Sequence, residues 1–399
     1  MRFPIQITAS TLVSSMGSGI QAHIDALKAK QTGLKKNASS LDTKLEAFYG
    51  EVNGLTEITL PTRLERYLCR NHQLAWQALQ TDEFSEQVHH LANQFGAHRI
   101  GIALGTSTSG ILETEKALAE KEANGTFSKT FHYETTHRMN ALADFCAEAL
   151  NISGPRMIIS TACSSSAKVF ASASRWIDHN LVDAVIVGGV DSLCLTTIHG
   201  FHALGVVSQD IVRPLDQARD GINIGEAGGF MLLERARPHQ NNIQLTGFGE
   251  TSDAYHISTP HPEGEGAQKA MQQALAMAGL TADDIDYLNL HGTGTPSNDL
   301  AESQAVGTVF ANQMPLLSST KGFTGHTLGA AGITEAIFCQ IALQEQMALP
   351  NLNLKTLDEN LSLHPVLEPQ PASIEHCMSN SFGFGGNNAS LVFSLGTRS

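Results

Sequence analysis

Cys163 carries the sharpest chemical signal in the 399-residue chain, set in Ser160-Thr-Ala-Cys163-Ser-Ser-Ser-Ala167. Small residues on both sides let the backbone turn tightly from a strand into a helix. A thiol at a helix start faces the positive end of the macrodipole, which favours thiolate, and the free N–H groups there could donate to an oxyanion. The competing role is that of a buried small hydrophobe, the commoner fate of a free cysteine. His291 opens a second group, His291-Gly-Thr293-Gly-Thr295-Pro-Ser-Asn-Asp299-Leu-Ala-Glu302, directly after the apolar run Tyr287 to Leu290. In open α/β sheets, functional groups gather at the carboxyl ends of strands, and this histidine is the first residue past one. The glycines allow close approach of a ligand, and the two threonine hydroxyls could bind an elongated polar chain. A P-loop is disfavoured because its Lys-Ser/Thr ending is missing.

Two further groups complete the set. In Lys321-Gly-Phe-Thr-Gly-His326-Thr-Leu-Gly-Ala-Ala-Gly332-Ile-Thr-Glu335 a lysine and a histidine flank a glycine bend ahead of an almost wholly small and apolar helix. Glu335 inside such a helix needs a partner, for which Lys321 is the candidate, and a purely structural ion pair is one reading of both. Asn380-Ser-Phe382-Gly-Phe384-Gly385-Gly386-Asn387-Asn388 offers a sharply bending backbone that presents aromatic rings, with turn chemistry and core packing as the plain alternatives. Together these residues suit a thiolate that accepts an acyl group and two imidazoles that stabilise charge on a neighbouring oxygen.

The elements that must position these groups read as α/β. Strand candidates are Arg99–Leu104, Met157–Ser160, Ala184–Val187, Phe230–Leu233, Tyr287–Leu290 and Ala389–Phe393, alternating with helical patterns. The run from Ile158 to Cys163 leading into a helix to about Asn180 is echoed by Leu317 to Lys321 leading into a helix from about Leu328 to Leu343, which suggests a duplicated fold. The polar stretch Arg235-Ala-Arg-Pro-His239 marks the seam, giving halves 1–237 and 238–399.

Charge and composition narrow the classes. Lys plus Arg number 25 against 39 Asp plus Glu, a net −14, which disfavours gripping a phosphate backbone. With 42% hydrophobic and 16% charged residues the chain has a large core and is not disordered. Six widely spaced cysteines form no zinc or disulfide pattern, so a reducing compartment is expected. The N-terminus lacks a signal-peptide pattern and no run approaches about 18 apolar residues, so the expected location is cytoplasmic, with no membrane insertion.

The motifs STACSSSA, RPLDQARDGINIGEAGG, HGTGTPSND, KGFTGHTLGAAG and NSFGFGGNN, in this order over nearly the whole chain, resemble those of the β-ketoacyl-acyl carrier protein synthases, the condensing enzymes of fatty acid and type II polyketide assembly. The resemblance implies a thiolase-like duplicated fold, five layers αβαβα with two mixed sheets. It implies Cys163, His291 and His326 as the catalytic triad, supported by Lys321, and Glu335 as the lysine's partner. The N–H groups of Cys163 and Phe384 would form the oxyanion hole. Phe384, Phe382, Phe201 and Ile111 would gate or line the acyl pocket, and Thr293 and Thr295 would bind phosphopantetheine. Asp299 and Glu302 match positions associated with structure or a bound cation.

No redox cofactor or metal is required, the 4′-phosphopantetheine arriving on the acyl carrier protein. Expected partners are that carrier and a second chain, as a homodimer or as a heterodimer with a chain-length factor. Because carriers are acidic and this chain is too, a local basic patch is needed, and Arg63, Arg66 and Arg70, at i, i+3 and i+7, are expected on one helix face. A thiolase would be expected to carry a second catalytic cysteine in the loop that here holds Phe384, and Cys377 reads as a buried strand residue. A chain-length factor would lack Cys163, and a generic Cys-His amidase or protease would leave the two histidines and the lysine without roles. Asn387, where many relatives have threonine, and the stretch 110–151 depart from the housekeeping pattern and leave chain length open, with a specialised pathway such as polyene assembly in view.

Overall fold

The structure, a computed structural model, describes residues 4–38, 40–128, 131–236 and 242–396. Five strands of the first half, β1 (Ile5–Ser14), β2 (Ile100–Gly105), β3 (Arg156–Ile159), β4 (Ala184–Asp191) and β5 (Ala227–Arg235), stand in the order β3-β2-β4-β5-β1. Five of the second, β6 (Ile243–Ser252), β7 (Tyr287–Asn289), β8 (Leu316–Ser318), β9 (His376–Gly383) and β10 (Asn387–Leu395), stand as β8-β7-β9-β10-β6. Counted within each half, both orders are third, second, fourth, fifth, first. The directions repeat too: the first three strands in each row are parallel and the last two pairings antiparallel. The echo between the two nucleophile-like segments is therefore a real duplication. The two mixed sheets touch edge to edge through only two residue pairs, Ile5 with Leu245 and Gln6 with Gln244. The proposed boundary at 237/238 lies outside the described residues.

Helix α1 (Arg70–Leu79), α2 (Ile111–Asn124) and α3 (Ala141–Leu150) belong to the first half, as do α4 (Ser165–Asp178), which follows β3, and α5 (Leu195–Ala203). The second half has α6 (Glu265–Ala278), α7 (Pro296–Val309) and α8 (Ala331–Glu345). Helices α4 and α8 occupy the middle layer, where one apolar cluster joins both to both sheets. Separate clusters pack α1 and α3 on the outside of the first sheet, and α6 and α7 on the outside of the second. The result is the expected five layers. Every residue of α8 from Ala331 to Leu343 is buried, including Thr334, Glu335 and Gln340, which fits a helix with apolar residues all round. The two central helices approach to backbone contact: a Cβ on Gly332 would lie 2.4 Å from the amide nitrogen of Ala167.

The loop beginning Asn380-Ser-Phe382 is a hairpin: β9 carries Phe382 and Gly383, and β10 resumes at Asn387. Cys377 is fully buried in β9.

Candidate active site

The turn after β3 makes the nucleophile accessible by strain. Ala162 holds φ at 53°, a left-handed conformation that a non-glycine residue keeps only when its surroundings force it. The Ser165 hydroxyl accepts the Thr161 N–H at 2.9 Å and ties the turn to the start of α4. Cys163 projects from this turn, 5% exposed.

His291 and His326 come from the matching ends of β7 and β8 in the other half, their rings 5.4 Å apart and nearly perpendicular. Nε2 of His326 lies 3.0 Å from Sγ of Cys163, and Nδ1 accepts the Leu328 N–H at 3.1 Å. With Nδ1 occupied as acceptor, the proton of the neutral ring is on Nε2 and points at the sulfur. His291 is fixed in the same tautomer by a different group. Lys321 Nζ donates to the His291 carbonyl, to Nδ1 at 3.3 Å and to Glu335 Oε1, so its three protons meet three acceptors. The two rings thus present N–H donors to one small volume. Burial and the charge of Lys321 hold both imidazoles well below the usual histidine range, so both stay neutral.

Sγ and the imidazole nitrogens lie within 4.8 Å of one another, a spacing a metal ion could span. The tautomers argue against that use, because the Nε2 atoms offer protons and not lone pairs.

Burial pushes the Cys163 thiol up to about 11, opposed by Lys321 and by the backbone N–H groups of Phe384 and Cys163. Desolvation therefore works against the thiolate that a helix start favours. The Phe384 and Cys163 N–H groups favour the charged form of the sulfur. The gate hairpin runs so close that a Cβ on Gly383 would lie 2.9 Å from the Thr161 carbonyl and 3.2 Å from the Cys163 nitrogen.

Two cavities meet at this point. The first, about 630 Å3 including its open mouth, is lined by Cys163, His291, His326, Thr293, Thr295 and Phe382, and the hydroxyls of Thr293 and Thr295 lie 2.8 Å apart along its wall. The second, about 900 Å3 including its mouth, is lined by Ser107, Thr196, Thr197, Gly200, Leu204 and Leu328. Cys163, Phe201 and Phe384 border both, with the two phenylalanine rings 5.6 Å apart. Ser107 and Leu328 were not evident from the sequence. Ile111, expected in the acyl pocket, lines neither cavity; at the start of α2 it packs against the apolar cluster of Leu112, Leu193, Ile198 and Leu328.

Asp299 and Glu302 are buried one turn apart on α7. Glu302 accepts the N–H groups of His291 at 2.8 Å and Gly292 at 2.7 Å, and burial raises its carboxyl to about 7. Asp299 accepts Leu215 N–H at 3.0 Å and Gly294 N–H at 3.2 Å and pairs with Arg219 at 3.4 Å. Both shape the histidine loop through its backbone.

The arginine stripe does not form. A 3-10 turn, Thr62–Tyr67, carries Arg63 and Arg66, and Leu68 and Cys69 are extended before α1 begins. Arg63 donates to the Ala149 carbonyl at 3.0 Å at the end of α3, and Arg66 pairs with Glu148 while remaining half exposed. Arg70 points inward, 5% exposed, and grips Glu226, with Nε 2.9 Å from Oε2. It cannot meet a carrier.

Such a site on a duplicated five-layer fold defines a thiolase-like condensing enzyme. Residues 1–239 match the family described as β-ketoacyl synthase, N-terminal domain, and residues 243–355 match β-ketoacyl synthase, C-terminal domain. The chain is similar to 3-oxoacyl-[acyl-carrier-protein] synthase 2 of Vibrio cholerae, 33% identical over 417 aligned positions covering 98% of each. It is also similar to a chain of the ketosynthase (ApeO) and chain length factor (ApeC) complex from Xenorhabdus doucetiae, with TM-score 0.91 and 36% identity over 99% of this chain and 98% of that one. The ishigamide ketosynthase/chain length factor gives TM-score 0.90 at 25% identity over the whole of both chains. The protein belongs to the β-ketoacyl synthase family and is an acyltransferase of the condensing type. Among the described residues no helix is long and apolar enough to cross a membrane.

Proposed function

We propose that the protein condenses an acyl group carried on Cys163 with malonyl-acyl carrier protein. The observation that carries this reading is the pair of imidazoles presenting Nε2–H donors beside Sγ, between two cavities that meet there. The acyl thioester enters by the first cavity, its phosphopantetheine against Thr293 and Thr295. Cys163 sulfur attacks the thioester carbonyl, and the N–H groups of Phe384 and Cys163 hold the oxyanion. Collapse releases the carrier thiol, which takes up the cysteine's proton, and leaves the acyl chain in the second cavity behind Phe384. Malonyl carrier then occupies the first cavity. Loss of carbon dioxide leaves the carbon–carbon electron pair as an enolate, whose oxygen accepts hydrogen bonds from His291 and His326. Its carbon attacks the acyl-enzyme carbonyl, the new carbon–carbon bond forms, and Cys163 leaves as thiolate, which takes one proton from solvent to restore the resting thiol. Neither step needs a metal or a redox cofactor.

The partner in this reading is a ketosynthase-like chain. Two features support it: β3 is the edge of its sheet with partly exposed residues, and the second cavity opens beside Leu204, 55% exposed. Two solved neighbours of this fold, from Xenorhabdus doucetiae and the ishigamide system, hold a ketosynthase with a chain length factor. Arg63 and Arg66 remain as the carrier-facing cations, and six unpaired buried cysteines fit a cytoplasmic location. Chain length stays open, set by the second cavity.

Incubation with acyl carrier thioesters of graded length, followed by mass spectrometry, tests this. An acyl adduct on Cys163 that vanishes in Cys163→Ala is expected, and an adduct that survives that change overturns it. The mass of the chain expressed alone, against twice 42.7 kDa, separates a homodimer from an obligate heterodimer.

A further inference from the structure

Asp191 ends β4 fully buried, and its carboxylate collects donors from both halves of the molecule. Oδ1 accepts the Thr106 hydroxyl at 2.6 Å, the N–H groups of Ser107 and Thr108 at 2.9 Å each, and the Thr108 hydroxyl at 2.8 Å. Oδ2 accepts the Ser107 hydroxyl at 2.5 Å and, from the second half, the Gly329 N–H at 2.6 Å. None of these partners is a cation. The group is a hub of amides and hydroxyls that charge-assisted hydrogen bonds make rigid.

The segments so tethered are functional ones. Ser107 and Leu328 both line the second cavity. Leu328 also donates the N–H that occupies Nδ1 of His326. Its backbone sits at φ 55°, strained for a branched side chain, and the residue that follows is bonded to Asp191 and to the Ser107 hydroxyl. That position admits no side chain, since a Cβ on Gly329 would lie 2.7 Å from Oδ2.

We infer that Asp191 is a positioning residue for condensation. It holds the Leu328–Gly329 turn in its strained form, so that the Leu328 N–H fixes His326 as an Nε2–H donor, and it sets one wall of the acyl cavity through Ser107. It touches no reacting atom. Without it the turn relaxes, Nδ1 loses its donor, and the ring is free to present a lone pair to the enolate oxygen in place of a proton. This rests on the role given to His326 above.

Asp191→Asn keeps the size but turns one oxygen into an NH2 group facing N–H donors. The expected result is Cys163 acylation within about threefold of wild type and condensation lower by about 10²-fold, the loss typical of one misplaced donor. In protein labelled with 15N at histidine, the His326 nitrogens, assigned by difference against His326→Ala, should move from the Nε2–H pattern toward a tautomer mixture. Asp191→Glu, which restores the carboxylate, should recover part of both. If Asp191→Asn does not fold, Ser107→Ala, which removes the hydroxyl from Oδ2 and from Gly329, is read by the His326 nitrogen signals alone, with a smaller shift in the same direction, because Ser107 also lines the acyl cavity. The inference is overturned if the folded variant keeps the His326 nitrogen signals and the condensation-to-acylation ratio of wild type, or loses both activities in equal proportion with those signals unmoved. The nitrogen signals report on the Asp191 tether even if Cys163 proves not to be acylated, so failure of the catalytic reading shows separately.

Discussion

Nε2 of His326 lies 3.0 Å from Sγ of Cys163 and faces it as a proton donor, because Nδ1 is already bound to the Leu328 N–H. A ring held this way is a poor base toward the thiol and a ready donor to an oxygen that appears later. His326→Ala should therefore retain acylation of Cys163 within about tenfold while condensation falls by about 10²- to 10³-fold, the range for loss of one oxyanion donor. His326→Gln, which keeps an N–H, should retain more decarboxylation than Ala. Single-turnover acyl transfer and carbon dioxide release measured on the same preparations separate the two steps, and equal losses in both would make His326 a base.

The same environment predicts the pH response. Burial and Lys321 hold His291 and His326 well below 6.5, so lowering the pH from 8 to 6 protonates neither. The groups of the site that burial raises into that interval are Glu302 and Glu335, each to about 7, so any inflection in condensation by preformed acyl-enzyme should belong to a carboxyl and shift or vanish in Glu302→Gln or Glu335→Gln. An inflection near 6.5 that survives both changes would contradict the neutral state assigned to the imidazoles.

Much of this site is legible in the sequence because its parts are local. Each of Cys163, His291 and His326 follows its own strand, and the duplication brings matching strand ends together. What is not legible depends on burial and on distant partners. Arg70 reads as the third member of a surface stripe only if one helix runs from Arg63. The chain is extended at Leu68 and Cys69, and the partner that turns Arg70 inward, Glu226, is 156 residues away. The height of the Cys163 thiol follows from desolvation by layers that no local pattern reports. β1 and β6 escape notice because each has a register irregularity, between Ile7 and Ala9 and between Leu245 and Gly247. Asp191, also at a strand end, satisfies the rule that found His291, but its partners lie 83–85 residues back, at Thr106 to Thr108, and 138 residues ahead, at Gly329, so no local pattern marks it.

The buried Lys321–Glu335 pair separates stability from activity. Lys321→Met leaves Glu335 buried without its cation, which should destabilise by about 3–5 kcal/mol in denaturant unfolding. Adding Glu335→Leu should recover most of that stability. Condensation should not recover, because Nδ1 of His291 has lost its donor. Recovery of both would make the pair a structural bridge alone.

The two remaining docking arginines and Arg70 should part company under mutation. Arg70→Met strips the buried Glu226 of its cation and is expected to cost about 3–5 kcal/mol. Arg66→Glu breaks only a half-exposed pair with Glu148, worth about 1 kcal/mol or less, and should instead raise KM for carrier-bound substrate in a salt-dependent way. Turnover of carrier substrates unaffected by Arg63→Glu with Arg66→Glu would move docking to another face.

The gate hairpin makes the sharpest distinction between position and bulk. Gly383→Ala introduces a Cβ within 2.9 Å of the Thr161 carbonyl and 3.2 Å of the Cys163 nitrogen, so the hairpin must withdraw from the nucleophile. The Phe384 N–H withdraws with it, and acylation should slow by about 10²-fold, as for removal of an oxyanion donor. Phe384→Ala keeps that N–H and deletes the ring that stands with Phe201 between the cavities. Its acylation should stay within about tenfold of wild type while preference among chain lengths flattens, because discrimination per methylene depends on a closed apolar wall. A ladder of acyl carrier thioesters assayed with both variants decides it: loss of selectivity in Gly383→Ala with normal rate, or loss of rate in Phe384→Ala with selectivity intact, would reverse the roles of backbone and ring.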